Sequence, residues 1–183
     1  GTYFNITHNN IPVPYVCYSD EYYQPCVVQV PFLEEKFKQS LGAQLDSKIN
    51  ACYNTYVEEF QRQGYEVTSG DVEIEMDLQQ EKIVLDISAP LTISEGSSTA
   101  GLQDFSFEIP TKIYDIIMLA NHIVHYETTY GEYELVGSQL LYPDLPVSVH
   151  KVDDGTAIYT IISGETKYQF AVRSYVSPAG YGL

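Results

Sequence analysis

Residues 71–94 read DVEIEMDLQQEKIVLDISAPLTIS. Val72, Ile74, Met76 and Leu78 alternate with Asp71, Glu73, Glu75 and Asp77. After Gln79, Gln80, Glu81 and Lys82 the alternation resumes as Ile83, Leu85, Ile87, Ala89, Leu91 and Ile93. A period of two sends successive side chains to opposite faces of a strand. The stretch therefore predicts two long antiparallel strands with one apolar and one acidic face. Such a sheet is a floor on which helices lie.

The helices flank it. Over residues 31–63, Leu33, Phe37, Leu41, Leu45, Ile49, Cys52, Tyr53, Tyr56 and Phe60 fall in steps of three and four and make one stripe. Pro31 suits a first helical position, Glu34 and Glu35 favour the positive end of the helix dipole, and Gly64 is a stop. A second helix over 111–129 carries Ile113, Ile116, Ile117, Ala120, Ile123 and Val124 on its inner stripe, with Gly131 closing it. Between them, residues 94–101 read as a flexible loop, and Phe105, Phe107 and Ile109 as a third strand. Strands follow at 147–152, 156–162 and 167–176, with Asp154 and Gly155 as a hairpin signal.

The expected fold is α+β: two helices packed on an antiparallel sheet, with an extended N-terminal arm and a C-terminal β-hairpin region. Residues 1–30 are the arm, 31–176 a single α+β domain, and 177–183 a flexible tail. The arm holds Pro12, Pro14 and Pro25 and tyrosines at 3, 15, 18, 22 and 23, so it reads as extended chain held by rings rather than by regular structure. Within it Cys17 and Cys26 form a candidate disulfide worth about 2–3 kcal/mol. Cys52, the odd cysteine, reads as a small buried residue of the helix stripe, and its pairing with Cys17 or Cys26 stays open. Asn5, Ile6 and Thr7 make an N-glycosylation triplet. The staple and the triplet both point to an oxidising compartment outside the cytoplasm.

Charge narrows the partners. The chain carries 25 acids against 9 bases, a net charge of −16, and its only arginines are Arg62 and Arg173. Nucleic acid and anionic membrane need clustered Lys and Arg, so neither is a partner. No run of about 18 apolar residues offers a membrane span. Seventeen tyrosines and no tryptophan suit half-wet surfaces and interfaces.

Motifs for chemistry are scarce. No nucleophile elbow, zinc-protease helix, phosphate loop or dinucleotide fingerprint occurs, so no catalytic residue and no cofactor is assigned. His122 and His125 lie three apart on the second helix with Glu127 near in sequence, but a metal site needs three or four ligands and His150 belongs to a distant stretch. The row Asp71, Glu73, Glu75 and Asp77 reads as a solvated face. With Asp86 beside it, it is a candidate weak cation patch, although alternate strand residues stand about 6.5–7 Å apart.

Several strings group the chain with known sequences: residues 31–35 (PFLEE), 64–67 (GYEV) with 70–72 (GDV), 90–94 (PLTIS), 114–116 (YDI) with 123–124 (IV), 141–143 (LYP) and 168–173 (YQFAVR). Over about residues 10–176 the chain resembles a group of uncharacterised single-anchor surface proteins of small-genome archaea. That resemblance implies an exported, envelope-facing domain with a hydrophobic anchor helix upstream. It carries no assigned activity and no catalytic residues.

The expected function is that of an extracellular structural or adhesive surface protein. It would act by contact with a protein partner or with itself, assembling into a filament or layer through the N-terminal arm. The strand over Tyr168–Val176 would be an edge open to another strand. The alternatives are a secreted or surface enzyme built on His122, His125 and nearby acids, or a cation-binding module.

Overall fold

The computed structural model describes residues 4–21 and 23–174. They form two compact units. The split unit combines the residues up to Leu33 with those from Asp115 onward, and the inserted unit is Glu34–Tyr114. Both mix helices with sheets of mostly antiparallel strands, so the α+β class holds. No helix among the described residues is long and apolar enough to cross a membrane.

The split unit begins with β1 (Asn5–His8), β2 (Ile11–Tyr18) and β3 (Val27–Val28). The expected irregular arm is therefore strand. Pro12 and Pro14 hid it, because proline cannot donate to a ladder. The register answers this: the Tyr15 N–H donates to the Phe4 carbonyl at 2.8 Å, so positions 12 and 14 face the other edge of β2. There β10 (Thr166–Arg173) joins β2 in parallel only from Tyr15 onward. The hairpin of β8 (Val147–Lys151) and β9 (Thr156–Ser163) completes a six-stranded sheet in the order β1-β2-β10-β9-β8, with β3 on β2. Between β8 and β9 the turn holds Gly155 at φ 85, the left-handed conformation that favours glycine.

β10 thus lies inside its sheet, between β2 and β9, and is not the open edge expected. Val176 and the expected tail lie outside the described residues. α2 (Ile113–Tyr130) buries the expected stripe Ile116, Ile117, Ala120, Ile123 and Val124, together with Leu119 and Glu127. A short α3 (Leu135–Leu141) follows, its first turn held by the Glu134 carboxylate accepting from the Val136 N–H. The sheet contributes Val13, Tyr15, Ile158, Ile161, Phe170 and Val172 to the core.

The inserted unit holds nearly all of α1 (Leu33–Arg62) and the strands β4 (Glu66–Ser69), β5 (Glu73–Gln79), β6 (Lys82–Glu95) and β7 (Ser98–Pro110). The alternating stretch is the expected hairpin, Glu73–Gln79 against Lys82–Ser88, with Glu81 at φ 63 in the turn. The later half of β6 pairs β4, and β7 runs along nearly all of β6. Residues 94–101 are accordingly strand and tight turn rather than loop, with Gly96 at φ 61 making the reversal. The expectation of two helices on one sheet fails, because α1 and α2 belong to different units with different sheets.

Candidate functional site

In the inserted unit the sequence pattern builds a cleft. The apolar stripe of α1 supplies Ile49, Cys52, Tyr53, Tyr56 and Phe60 as one wall. Ile87, Ala89 and Leu91 of β6 with Leu102, Phe105 and Phe107 of β7 supply the other. The space measures about 460 Å³. A bulge at Ala89 and Pro90 fixes the wall, since the β6–β7 register shifts between Ser88 and Leu91. The Pro90 carbonyl accepts from the Tyr53 hydroxyl at 2.6 Å and from the Gly70 N–H at 2.9 Å, tying helix, strand and loop together. Gly70 is required for that approach, because a Cβ there would stand 2.7 Å from Pro90 Cγ.

The cleft is open. Phe107 remains 52% exposed, and Leu102, Phe105 and Ile109 on the same strand are exposed as well. β7 pairs only with β6, so among the described residues its other edge carries no ladder. Cys52, expected to be buried, is an exposed free thiol, because α1 roofs an open cleft instead of sealing a core. Within α1 only Leu33 is buried.

The other face of this sheet is acidic. Cross-strand rows run Glu73–Ser88–Asp104 and Glu75–Asp86–Ser106 around a shallow hollow of about 370 Å³. Asp86 does sit opposite Glu75, as the cation patch required. Asp77 instead accepts from Gln79 at 2.9 Å and from Lys38 at 3.4 Å, contacts that hold its carboxyl below the usual range. Asp71 lies outside β5. No group of three or more His, Cys, Asp or Glu among the described residues is placed to hold a metal ion.

The split unit carries a different kind of site. Glu127 is 3% exposed at the end of the buried stripe of α2. Its Oε1 accepts from the Tyr159 hydroxyl and from the Tyr133 N–H at 3.2 Å. Burial pushes its carboxyl up to about 7. The Tyr159 hydroxyl is pushed up in turn, first by burial and then by Glu127. Glu127 lines a cavity of about 210 Å³ with Glu132, Lys151, Thr156 and Tyr159. Lys151 pairs with Glu132 at its rim. Thr156 Oγ1 shares a hydrogen bond with the Tyr15 hydroxyl at 2.8 Å.

The histidines do not converge with Glu127. His122 and His125 are exposed on α2, whereas the Glu127 side chain is buried. The His122 ring stands 5.7 Å from Tyr133 and 6.3 Å from Tyr142. His125 borders a separate hollow of about 180 Å³ with Phe32 and Val124. His8 and His150 do meet, with ring centroids 4.8 Å apart, although β1 and β8 are the two ends of the strand order. The sheet therefore curls until its edge strands face each other. Cys17 and Cys26 are joined in a disulfide, and the Asn5 side chain is exposed on the edge strand β1.

Neither a protein-family model, a curated protein nor a solved structure matches the chain. What can be said of function therefore rests on two places: the apolar cleft beside the free β7 edge, and the Glu127 cavity. Sequence reasoning passed over the cleft and named Glu127 only as an acid near His122 and His125, not as a buried group. The signal for Glu127 was present: Ile116, Ala120, Ile123 and Glu127 step by four, three and four, so a charged residue continues an apolar stripe. The cleft left no such mark, since half-covered and fully covered stripes share one periodicity.

Proposed function

We propose that this chain is an extracellular structural or adhesive surface protein that works by protein–protein contact, and that the contact adds a partner's strand to β7. One observation carries the reading: β7 is 13 residues long, unpaired along one edge among the described residues, and exposed along its whole length, with Leu102, Phe105, Phe107 and Ile109 among the exposed side chains. An open strand edge offers a row of N–H and C=O groups, and side-chain pockets beside it give selectivity. Here the apolar row Phe105, Phe107 and Ile109 borders or adjoins the cleft, while Asp104 and Glu108 alternate with it, Glu108 paired with Lys82 of β6 at 2.6 Å and Asp104 in line with Glu73 across Ser88. The fitting partner is a strand that alternates apolar and basic residues. A second β7 would set acid against acid on a chain of net charge −16, so a different protein fits better than another copy. This reading gives the contact to β7 rather than to the N-terminal segment, whose β2 is paired within its own chain. The Cys17–Cys26 disulfide and the exposed Asn5 support placement outside the cytoplasm.

Calorimetric titration with a ten-residue peptide alternating valine and lysine tests the reading. Binding is expected, with an affinity loss of about tenfold or more in the double variant Asp104→Lys, Glu108→Lys. A peptide alternating valine and glutamate should not bind. Concentration-dependent growth in light scattering without peptide would assign the edge to a second copy instead. A monomer that ignores both peptides would sink the proposal.

A further inference from the structure

The Glu127 cavity lies in the split unit and plays no part in the contact just described. Both hydrogen bonds to Glu127 land on Oε1. Oε2 takes none among the described residues, and it is not among the buried polar atoms sealed off without a partner. An acceptor oxygen on an almost wholly buried side chain thus opens onto a cavity. The other charges on that cavity cancel, because Lys151 Nζ is engaged by the Glu132 carboxylate. The group left uncompensated is Glu127 itself, faced by Tyr159 from β9 and by the Tyr133 backbone N–H.

We propose that this cavity is a binding site for a primary ammonium group on a short aliphatic chain. An ammonium presents three donors and a full positive charge, which supplies what Oε2 lacks. The carbon chain has apolar wall to lie on, since Val152, Ala157 and Val172 line the same space. A divalent cation fits poorly, because calcium takes six to eight oxygen ligands and only one free carboxylate faces in. An anion is refused by Glu127 and by the prior engagement of Lys151. Burial already holds the empty carboxyl up near 7, as expected of a desolvated acid without a counter-charge. Ammonium binding therefore competes with a proton at Oε2 and strengthens as the pH rises through neutrality.

Titration of the full chain with n-butylammonium chloride tests the site, with sodium chloride at matched ionic strength as the blank. The expected result is saturable binding at pH 8 that weakens by about tenfold per unit well below the Glu127 pKa. Binding near neutrality should release a proton, read as a heat that depends on the buffer. Glu127→Gln keeps the shape and the acceptor for Tyr159 but removes the charge, and should weaken binding by about tenfold or more. Lys151→Gln frees Glu132 and should not weaken it. A second arm with Nα-acetyl-lysine amide separates the two sources of such a group. Binding of both ligands admits the lysine side chain of a partner, and binding of butylammonium alone restricts the site to small amines. No binding of either, or equal binding by a Glu127→Gln variant with unchanged circular dichroism, overturns the assignment.

Discussion

The split and inserted units solve the same problem, covering an apolar face, to different depths. α2 buries seven of its eighteen residues, and Leu119, Ala120 and Ile123 lose all contact with water. In the thirty residues of α1 only Leu33 is buried, although its stripe is as regular in sequence. The difference lies in the opposing surface. In the split unit Ile161, Phe170 and Ala171 stand on central strands with no exposed area. In the inserted unit much of the wall facing α1 belongs to β7, whose thirteen residues are all exposed. A helix stripe reports an apolar face and not its burial; the neighbouring strand decides the latter.

The sharpest test compares two phenylalanines. Phe170→Ala opens a cavity in a filled core and should cost about 3–5 kcal/mol in urea unfolding. Phe107→Ala trims a ring already half in water and should cost less than about 1 kcal/mol. Equal losses would mean that the cleft is closed in solution and that the contrast between the units is lost.

Next in size is a pH effect confined to the split unit. The Glu127 carboxyl is raised from an ordinary 4.5 to about 7 in the folded chain, so the native state holds its proton more tightly than the unfolded one. Stability from this group is therefore full below about pH 4.5 and lost as the pH rises toward 7, on the order of 3 kcal/mol in all. Melting curves from pH 4.5 to 8 should show the decline. Glu127→Gln should flatten it and leave the variant the more stable protein at pH 8.

Alanine at both Cys17 and Cys26 removes a staple across nine positions and should cost about 2.5 kcal/mol by loop-closure entropy. Reducing agent should lower the melting point of the native chain and leave that of the double variant unmoved. The smallest effect belongs to the cleft. Tyr53→Phe deletes one of two donors to the Pro90 carbonyl and should cost about 1 kcal/mol. It should speed amide exchange in α1 while leaving α2 unchanged.

These residues also show how far the sequence could be read. The β5–β6 hairpin was legible because Val72–Leu78 and Ile83–Ile93 alternate without interruption. Both long helices were legible from their stripes and glycine stops, to within two residues at either end. β2 was not, because two prolines imitate irregular chain and only the pairing partner shows that their missing N–H groups face away from β1. The first half of β7 was lost for a related reason: serine, threonine, alanine and glycine at 97–101 have loop composition, and the long ladder to β6 overrides it. Strand pairing between distant segments has no local signature. The parallel contact of β2 with β10, and with it the division into two units, was therefore out of reach. The Cys17–Cys26 link needed no such contact, since both partners lie in one short segment.

The insertion of Glu34–Tyr114 into the split unit also sets an order of events in time. The strand ladders of the inserted unit join segments close in the chain, so a low contact order favours their early formation. β2 pairs locally with β1, but its parallel contact with β10 has no such freedom. Tyr15 must wait for Thr156, 141 positions later, and for the parallel strand beyond it. Cys17 and Cys26 are nine positions apart and need no distant partner to join. In an oxidising compartment the staple closes early and holds the end of β2 beside β3 while the rest of the chain arrives. The bond acts as a placeholder for a sheet that does not yet exist.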